Sequence, residues 1–372
     1  MKKLSRKRFL SQSMMAMGSA AILGACSLNE GENTPAISMV DSKKTYRWRM
    51  VTTWPPNFPI LGEGCQFFAD WVDQASGGRL KIKVYGGGEL IPALEAFDAV
   101  SSGTAEIGSG TPYYWAGKAS ATQFFSTVPF GMNAQMMNTW LLNGGGYQLW
   151  KDLYHDFNLI PFSSGNTGVQ MGGWFNRPIE TVEDFMGLKM RMPGLGGKVL
   201  EKMGGSAVLL AGGEIYTGLE RGVIDATEWI GPYHDYKMGF HKIAKYYYAP
   251  GWHEPGTNME MFFNRQKFEA LPKDLQMILE MGTQKMNTWT LASFESMNAI
   301  YLSKIKSENT VQLRSFSPEI LDALHRKTNE VLSDICSSDP MSNRIFQSYQ
   351  KFMKDQKPWS EITEKKYYNL FI

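Results

Sequence analysis

The sequence predicts an α/β protein of two similar lobes, with long helices at its C-terminal end. Three observations carry that expectation. First, the chain repeats itself: residues 97–108 read FDAVSSGTAEIG and residues 216–227 read YTGLERGVIDAT. Each copy places an aromatic (Phe97, Tyr216), then a glycine (Gly103, Gly222), then an acid (Glu106, Asp225) at the same spacing. That is the pattern of an apolar helix end, a glycine stop and a short strand. Second, alternating runs and helically spaced runs take turns through both halves, as in parallel sheets covered by helices. Third, residues 273–306 keep helical periodicity for roughly nine turns. Two similar units leave a cleft between them, the usual place for a small ligand.

The first 26 residues read as an address rather than as fold. Lys2, Lys3, Arg6, Lys7 and Arg8 form a basic start, and the mildly apolar run Phe9–Ala25 is too short and polar to span a bilayer. It ends in Leu23-Gly24-Ala25-Cys26, which resembles a bacterial lipobox with Cys26 as the lipidated residue. Ser5-Arg6-Lys7-Arg8-Phe9-Leu10 resembles a twin-arginine export signal with Lys in place of the second Arg, so both that route and Sec remain open. Residues 27–44 are polar, with Gly, Asn, Pro and Ser, and read as a flexible tether. The expected location is periplasmic, anchored by lipid to a bacterial membrane.

The remainder, 45–372, is expected to hold two interleaved lobes, approximately 45–160 and 177–257, and a helical region 273–372. In the first lobe, Tyr46–Val51 alternates as a strand, residues 60–75 have helical spacing closed by Gly77-Gly78, and Leu80–Tyr85 alternates again. The first copy of the repeat then adds a helix and a strand near Ala105–Ser109. The second lobe repeats the order: strand Leu188–Met192, helix Gly197–Met203, strand Ala207–Leu210, then the second copy. Residues 157–176 are expected to cross between lobes, and Met259–Phe263 to cross back. The helix over 273–306 exceeds what one lobe needs, so it either spans both lobes or packs on a second copy of the chain in a homodimer. Met277, Met281 and Met286 on it read as core residues.

Composition excludes several classes of function. A net charge of +2 with 20% charged residues gives no field for nucleic acid. Three cysteines, one of them Cys26, make no disulfide framework; Cys65 and Cys336 are left either to pair or to stay free thiols. No G-x-S-x-G elbow, zinc-protease spacing or P-loop is present, and Gly86-Gly87-Gly88 and Gly144-Gly145-Gly146 read as turns. With no nucleophile–base pair, the chain is not expected to be an enzyme.

Four groups of residues are candidates for a binding site. Arg191 ends a predicted strand beside Pro193-Gly194, and its planar fork matches a carboxylate with two parallel hydrogen bonds. Arg49 and Arg79 read as surface ion pairs. Glu228 and Glu254 each stand among aromatic and apolar residues, where a carboxylate needs a counter-charge. Two of them beside an anionic ligand would repel it, and a bound hard cation with oxygen ligands would resolve the conflict. Trp54, Tyr113, Tyr114 and Tyr233 lie in loops after predicted strands, where a lobe opens to its cleft. Among these, one of Tyr113 and Tyr114 is expected to touch the ligand.

Arg191-Met192-Pro193-Gly194, Glu214–Ala226 and Glu228-Trp229-Ile230-Gly231-Pro232 together resemble the DctP-type extracytoplasmic solute receptors of TRAP transporters. The likeness runs from about Tyr46 to the C-terminal helices and is nearest to the subgroup that binds 2-oxoacids and other monocarboxylates. It implies a two-lobed periplasmic binding protein (venus flytrap), closure on a small organic acid, and delivery to the membrane permease. It further implies that Arg191 holds the substrate carboxylate. Position by position it makes Gln170, Glu228 and Glu254, with the main-chain oxygen of Trp229, the ligands of a Na+ or Ca2+ that bridges to the substrate. Two other readings stay open: a receptor for a dicarboxylate or other organic anion without metal, and a lipoprotein sensory accessory or enzyme on the same fold.

Overall fold

In a computed structural model that describes residues 44–371, eleven strands sort into two sheets. The leader, Cys26 and the tether up to residue 43 lie outside the described residues. The strands are β1 (Tyr46–Thr52), β2 (Leu80–Tyr85), β3 (Ile107–Gly110), β4 (Leu159–Asn166), β5 (Gly173–Phe175), β6 (Lys189–Arg191), β7 (Ser206–Val208), β8 (Ala226–Thr227), β9 (Tyr246–Ala249), β10 (Asn258–Asn264) and β11 (Gln312–Ser315). The helices are α1 (Leu61–Ala75), α2 (Ala96–Ser101), α3 (Ala134–Asn143), α4 (Gly146–His155), α5 (Gly194–Lys202), α6 (Gly212–Glu220), α7 (Pro232–Met238), α8 (Arg265–Glu269), α9 (Lys273–Glu308), α10 (Pro318–Ser338), α11 (Pro340–Ile362) and α12 (Glu364–Phe371).

The first sheet runs β2-β1-β3-β10-β4 and the second β11-β9-β5-β8-β6-β7. Each has a parallel core of three strands, β2-β1-β3 and β7-β6-β8, beside one antiparallel strand that directly follows a crossing, β10 and β5. The sequence repeat falls on corresponding places. Gly103 and Gly222 both take left-handed φ (81° and 70°) after α2 and α6, a conformation that favours glycine. Glu106 accepts the backbone N–H of Arg49 (2.8 Å), and Asp225 accepts that of Lys189 (3.0 Å). The repeated acid therefore ties the start of its own strand to the neighbouring parallel strand.

Seven consecutive residues of β10 are buried, because it lies between β3 and β4 inside the first sheet. Met259–Phe263 is thus the strand received after the return, and the crossings themselves are two loops, 167–172 and 250–257. They lie backbone against backbone. Gln170 N–H donates to the Glu254 carbonyl (3.1 Å), and Gly251 N–H donates to that of Gln170 (2.8 Å). A Cβ on Gly251 would stand 2.4 Å from the Gln170 oxygen, so the approach requires glycine there.

Helix α9 packs on β4 and α1 with one half and on α7 with the other. Gly282 faces Phe68 and Trp71 of α1, while Asn298 Oδ1 accepts the N–H of Tyr233 (3.1 Å) in α7. One helix therefore braces both sheets. Met286 is core, but Met277 and Met281 are 64% and 59% exposed, because Leu275, Leu279 and Gly282 form the buried stripe. The C-terminal region also supplies β11, a strand on the second sheet that periodicity alone did not indicate. Arg49 pairs with Glu106 (3.2 Å) and Arg79 with Asp274. Cys65 and Cys336 are free thiols. Among the described residues no helix is long and apolar enough to cross a membrane.

Candidate functional site

Strand β6 pairs with β8 so that Arg191 lies beside Thr227, and the residue after Thr227 is Glu228. Pro193, which has no N–H to continue the ladder, starts α5, so Arg191 stands at the carboxyl edge of the sheet. The guanidinium is 1% exposed, and its Nη1 ion-pairs with Glu228 Oε1. Its Nη2 donates to the Tyr114 hydroxyl (3.3 Å), its Nε donates to the Leu210 carbonyl (3.4 Å), and its Cζ lies 5.2 Å from the centre of the Trp229 ring.

The two crossing loops bring in the remaining candidates. Gln170 and Glu254 meet side chain to side chain, with Gln170 Nε2 donating to Glu254 Oε2 (2.7 Å). Thr257 Oγ1 donates to the same carboxylate oxygen. Gln170 has then spent its donor and turns its carbonyl oxygen inward. Gln170 Oε1, Glu228 Oε2 and both ring nitrogens of His253 are buried without a hydrogen-bond partner among the described residues. His253 Nε2 is 3.6 Å from Glu228 Oε2, and one donor atom each from Glu228, His253 and Glu254 fall within 4.8 Å of one another.

The electrostatics of this centre are unbalanced. One guanidinium faces two carboxylates, all three buried. Burial, then the Glu228 charge, holds the Glu254 carboxyl well above its usual range. Burial works against the Arg191 charge, but the charge of Glu228, with that of Glu254, outweighs it and holds the guanidinium protonated. Burial also raises the Tyr113 and Tyr114 hydroxyls, so both stay neutral. A cation with oxygen ligands fits such a set: it would take up the excess negative charge and give the orphaned Gln170 and Glu228 oxygens a partner.

Trp54, Thr111, Tyr113, Tyr114, Thr167, Gln170, Trp229, Ile230, Thr257 and Met259 line one cavity drawn from both sheets and both crossings. Its free volume, as the space open to the centre of a water-sized sphere, is about 10 Å³, room for roughly one water. A small organic acid is larger than this space. Tyr113 and Tyr114 both line the wall, on the turn after β3. Tyr233, expected there as well, instead begins α7 and packs its ring 4.7 Å from Tyr301 of α9, outside the cavity lining.

Two buried residues of the site region carried no sequence signal as site residues. His253 belongs to no metal-binding spacing in the sequence, and only its adjacency to Glu254 points to the site. Asp235 staples the turn that carries Glu228 and Trp229. Its Oδ1 accepts from the N–H groups of Ile230 (3.2 Å) and Gly231 (3.1 Å), and its Oδ2 accepts from Trp174 Nε1 (2.9 Å) and the Tyr247 hydroxyl (2.7 Å). Burial, opposed by these bonds, pushes its carboxyl up to about 6.

Two α/β lobes joined by paired crossings around a buried, carboxylate-matching centre define a periplasmic solute receptor of the venus-flytrap class. The chain belongs to the bacterial extracellular solute-binding proteins, family 7 (DctP), which it matches over residues 50–339. These are receptors that serve transporters rather than enzymes. The chain is 37% identical over 366 residues, 98% of each chain, to a monocarboxylate 2-oxoacid-binding periplasmic protein of Nostoc sp.. It is also similar to the TRAP periplasmic solute-binding protein of Colwellia psychrerythraea, solved with bound calcium and pyruvate. That likeness has a TM-score of 0.86 and 41% identity, covering 88% of this chain and 100% of the other. The corresponding protein of Pseudoalteromonas atlantica, solved with sodium and pyruvate, gives a TM-score of 0.86 and 40% identity over the same shares.

Proposed function

We propose that this protein is the extracytoplasmic receptor of a TRAP transporter, capturing a small 2-oxo or 2-hydroxy monocarboxylate through a bridging Na+ or Ca2+ and handing it to the membrane permease. The observation that carries this reading is the excess of buried carboxylate over guanidinium, with oxygens of Gln170 and Glu228 left unpaired. Gln170, Glu228, Glu254 and the main-chain oxygen of Trp229 would hold the cation. The cation would supply the positive charge that lets a solute carboxylate come close to two glutamates.

Arg191 then receives the solute carboxylate, and Tyr114, already a hydrogen-bond partner of Arg191, orients the fork. Tyr113 closes the opposite wall. Since the ligands come from both lobes and both crossings, the solute stabilises the closed form by the difference between its affinities for the two forms. Cys26 would carry the lipid anchor after removal of residues 1–25, with residues 27–44 as the tether. Export by the twin-arginine or Sec route, and pairing of two copies through α9, complete the proposal.

Titration calorimetry of the protein lacking residues 1–26 tests the reading. Pyruvate and longer 2-oxoacids are added before and after chelation and desalting, then with sodium or calcium restored. Binding that requires the cation is the expected result. Binding that ignores chelation would remove the metal from the proposal, and binding of none of these acids under any condition would remove the substrate class.

A further inference from the structure

We infer that His234 is a positioning residue that hydrogen-bonds the Trp229 indole to the Pro59 carbonyl, so that the loop after β1 closes over the site through a relay running Arg191–Trp229–His234–Pro59. The inference rests on the receptor reading only in that closure accompanies solute binding.

Donor and acceptor chemistry fixes the relay without ambiguity. Trp229 Nε1–H lies 3.3 Å from His234 Nδ1, and an indole nitrogen only donates, so Nδ1 accepts. His234 Nε2 lies 2.8 Å from the Pro59 oxygen, and a carbonyl only accepts, so Nε2 carries the proton. Both ends demand the same neutral tautomer, and a fully buried imidazole with both nitrogens satisfied is a fixed part of the framework. Phe58 seats its edge on the same pair, with ring centres 4.7 Å from His234 and 6.1 Å from Trp229.

The two ends of the relay belong to opposite sides of the cleft. Trp229 and His234 follow β8 of the second sheet, and Pro59 follows β1 of the first. The loop that presents Pro59 is built to hold one shape. Asn57 and Ile60 both take left-handed φ (54° and 58°), and a buried β-branched residue there is strained. Its own lobe grips it from behind: Gly87 N–H donates to the Trp54 carbonyl (2.7 Å), and a Cβ on Gly86 would meet Pro56 at 2.7 Å. The Pro59 carbonyl is therefore pre-aimed, and His234 is the group that meets it. At the other end the guanidinium that would receive the solute lies against the Trp229 face. What holds Arg191 and Trp229 in place also holds the acceptor–donor pair that spans the cleft.

Two substitutions separate the halves of the relay. His234→Asn keeps an oxygen near the Nδ1 position for Trp229 but does not reach Pro59. His234→Gln places a donor toward Pro59 but removes the acceptor for Trp229. Stopped-flow measurement of pyruvate with saturating calcium should show dissociation about fivefold faster in each variant, with association within about twofold of the parent. Unchanged dissociation in both folded variants would overturn the proposal. If neither variant folds, side-chain 15N spectra of the wild-type protein decide it. The Nε2–H tautomer, with its proton protected from exchange, is expected in the pyruvate-bound form; an Nδ1–H tautomer there overturns it. Should the wild type bind no pyruvate, the substrate reading fails by itself, and the same spectra on the protein alone still report the tautomer.

Discussion

Gln170 and Glu254 stand on different crossing loops, and they are joined twice: side chain to side chain at 2.7 Å and main chain to main chain at 3.1 Å. The residues proposed to hold the cation are therefore the residues that hold the hinge together. Affinity and closure share atoms here, which shapes what each substitution should do.

Glu254→Gln keeps the shape of the side chain and removes one of two buried negative charges. Calcium should then add little to pyruvate affinity, and affinity with calcium present should fall by about tenfold to a hundredfold. Parallel titrations of parent and variant, with and without calcium, measure it; equal cation enhancement in both would contradict the assignment of Glu254.

Arg191 cannot be removed cleanly, because it neutralises buried Glu228. Arg191→Ala should cost about 3–5 kcal/mol of stability by leaving that charge unpaired. The double variant Arg191→Met with Glu228→Gln should recover most of that loss and still bind no carboxylate. Urea unfolding and calorimetry on the three proteins separate the structural effect from the binding effect. Full affinity in the double variant would rule out the proposed anchor.

Glu260 offers a test by pH. It lies on β10 with Trp115 Nε1 (2.5 Å) and the Tyr154 hydroxyl (3.0 Å) donating to one oxygen, and burial pushes its carboxyl from near 4.5 up to about 8. Between those values the folded chain keeps a proton that the unfolded chain has released, so stability falls as pH rises. Below about 4.3 the acid is neutral in both states and the contribution is fully present. Glu260→Gln lacks this titration. Its melting temperature relative to the parent should climb steadily from pH 5 to pH 8, and two curves that stay parallel would show that Glu260 does not titrate in this range.

Gly251→Ala should act at a distance from the solute. The added Cβ is forced toward the Gln170 carbonyl at 2.4 Å, so the crossings must separate. A stability loss of about 1–3 kcal/mol and weaker pyruvate binding are expected together; normal binding at lowered stability would show that the crossings tolerate separation.

Much of this architecture was legible in the residues. The repeat marked corresponding places in the two lobes, because a left-handed glycine and a strand-capping acid are local demands that leave fixed letters. Arg191 was legible because a Pro-Gly turn fixes the end of its strand. Helices α3 and α4 were not: their marks, the Asn133 cap and the glycine turn at 144–146, are short and common. β11 escaped because four residues, three of them exposed, become a strand only beside β9. His253 and Asp235 take their telling partners, Glu228 and Trp174, from other segments, and the misplaced Tyr233 packs on Tyr301 of α9; no local pattern encodes neighbours that distant.

The order of strands also constrains how the chain is made. The first sheet joins residues 46–52 to residues 258–264, and the second takes its edge strand from residues 312–315. A growing chain that has released its first 200 residues has completed neither lobe. Early strands must wait with open edges for partners synthesised much later, so folding is governed by long-range closure and is slow compared with local helix formation. A fragment cut at residues 167–172 would not be half a receptor, since its sheet lacks the central strand β10, which the chain encodes only after β9 of the second sheet.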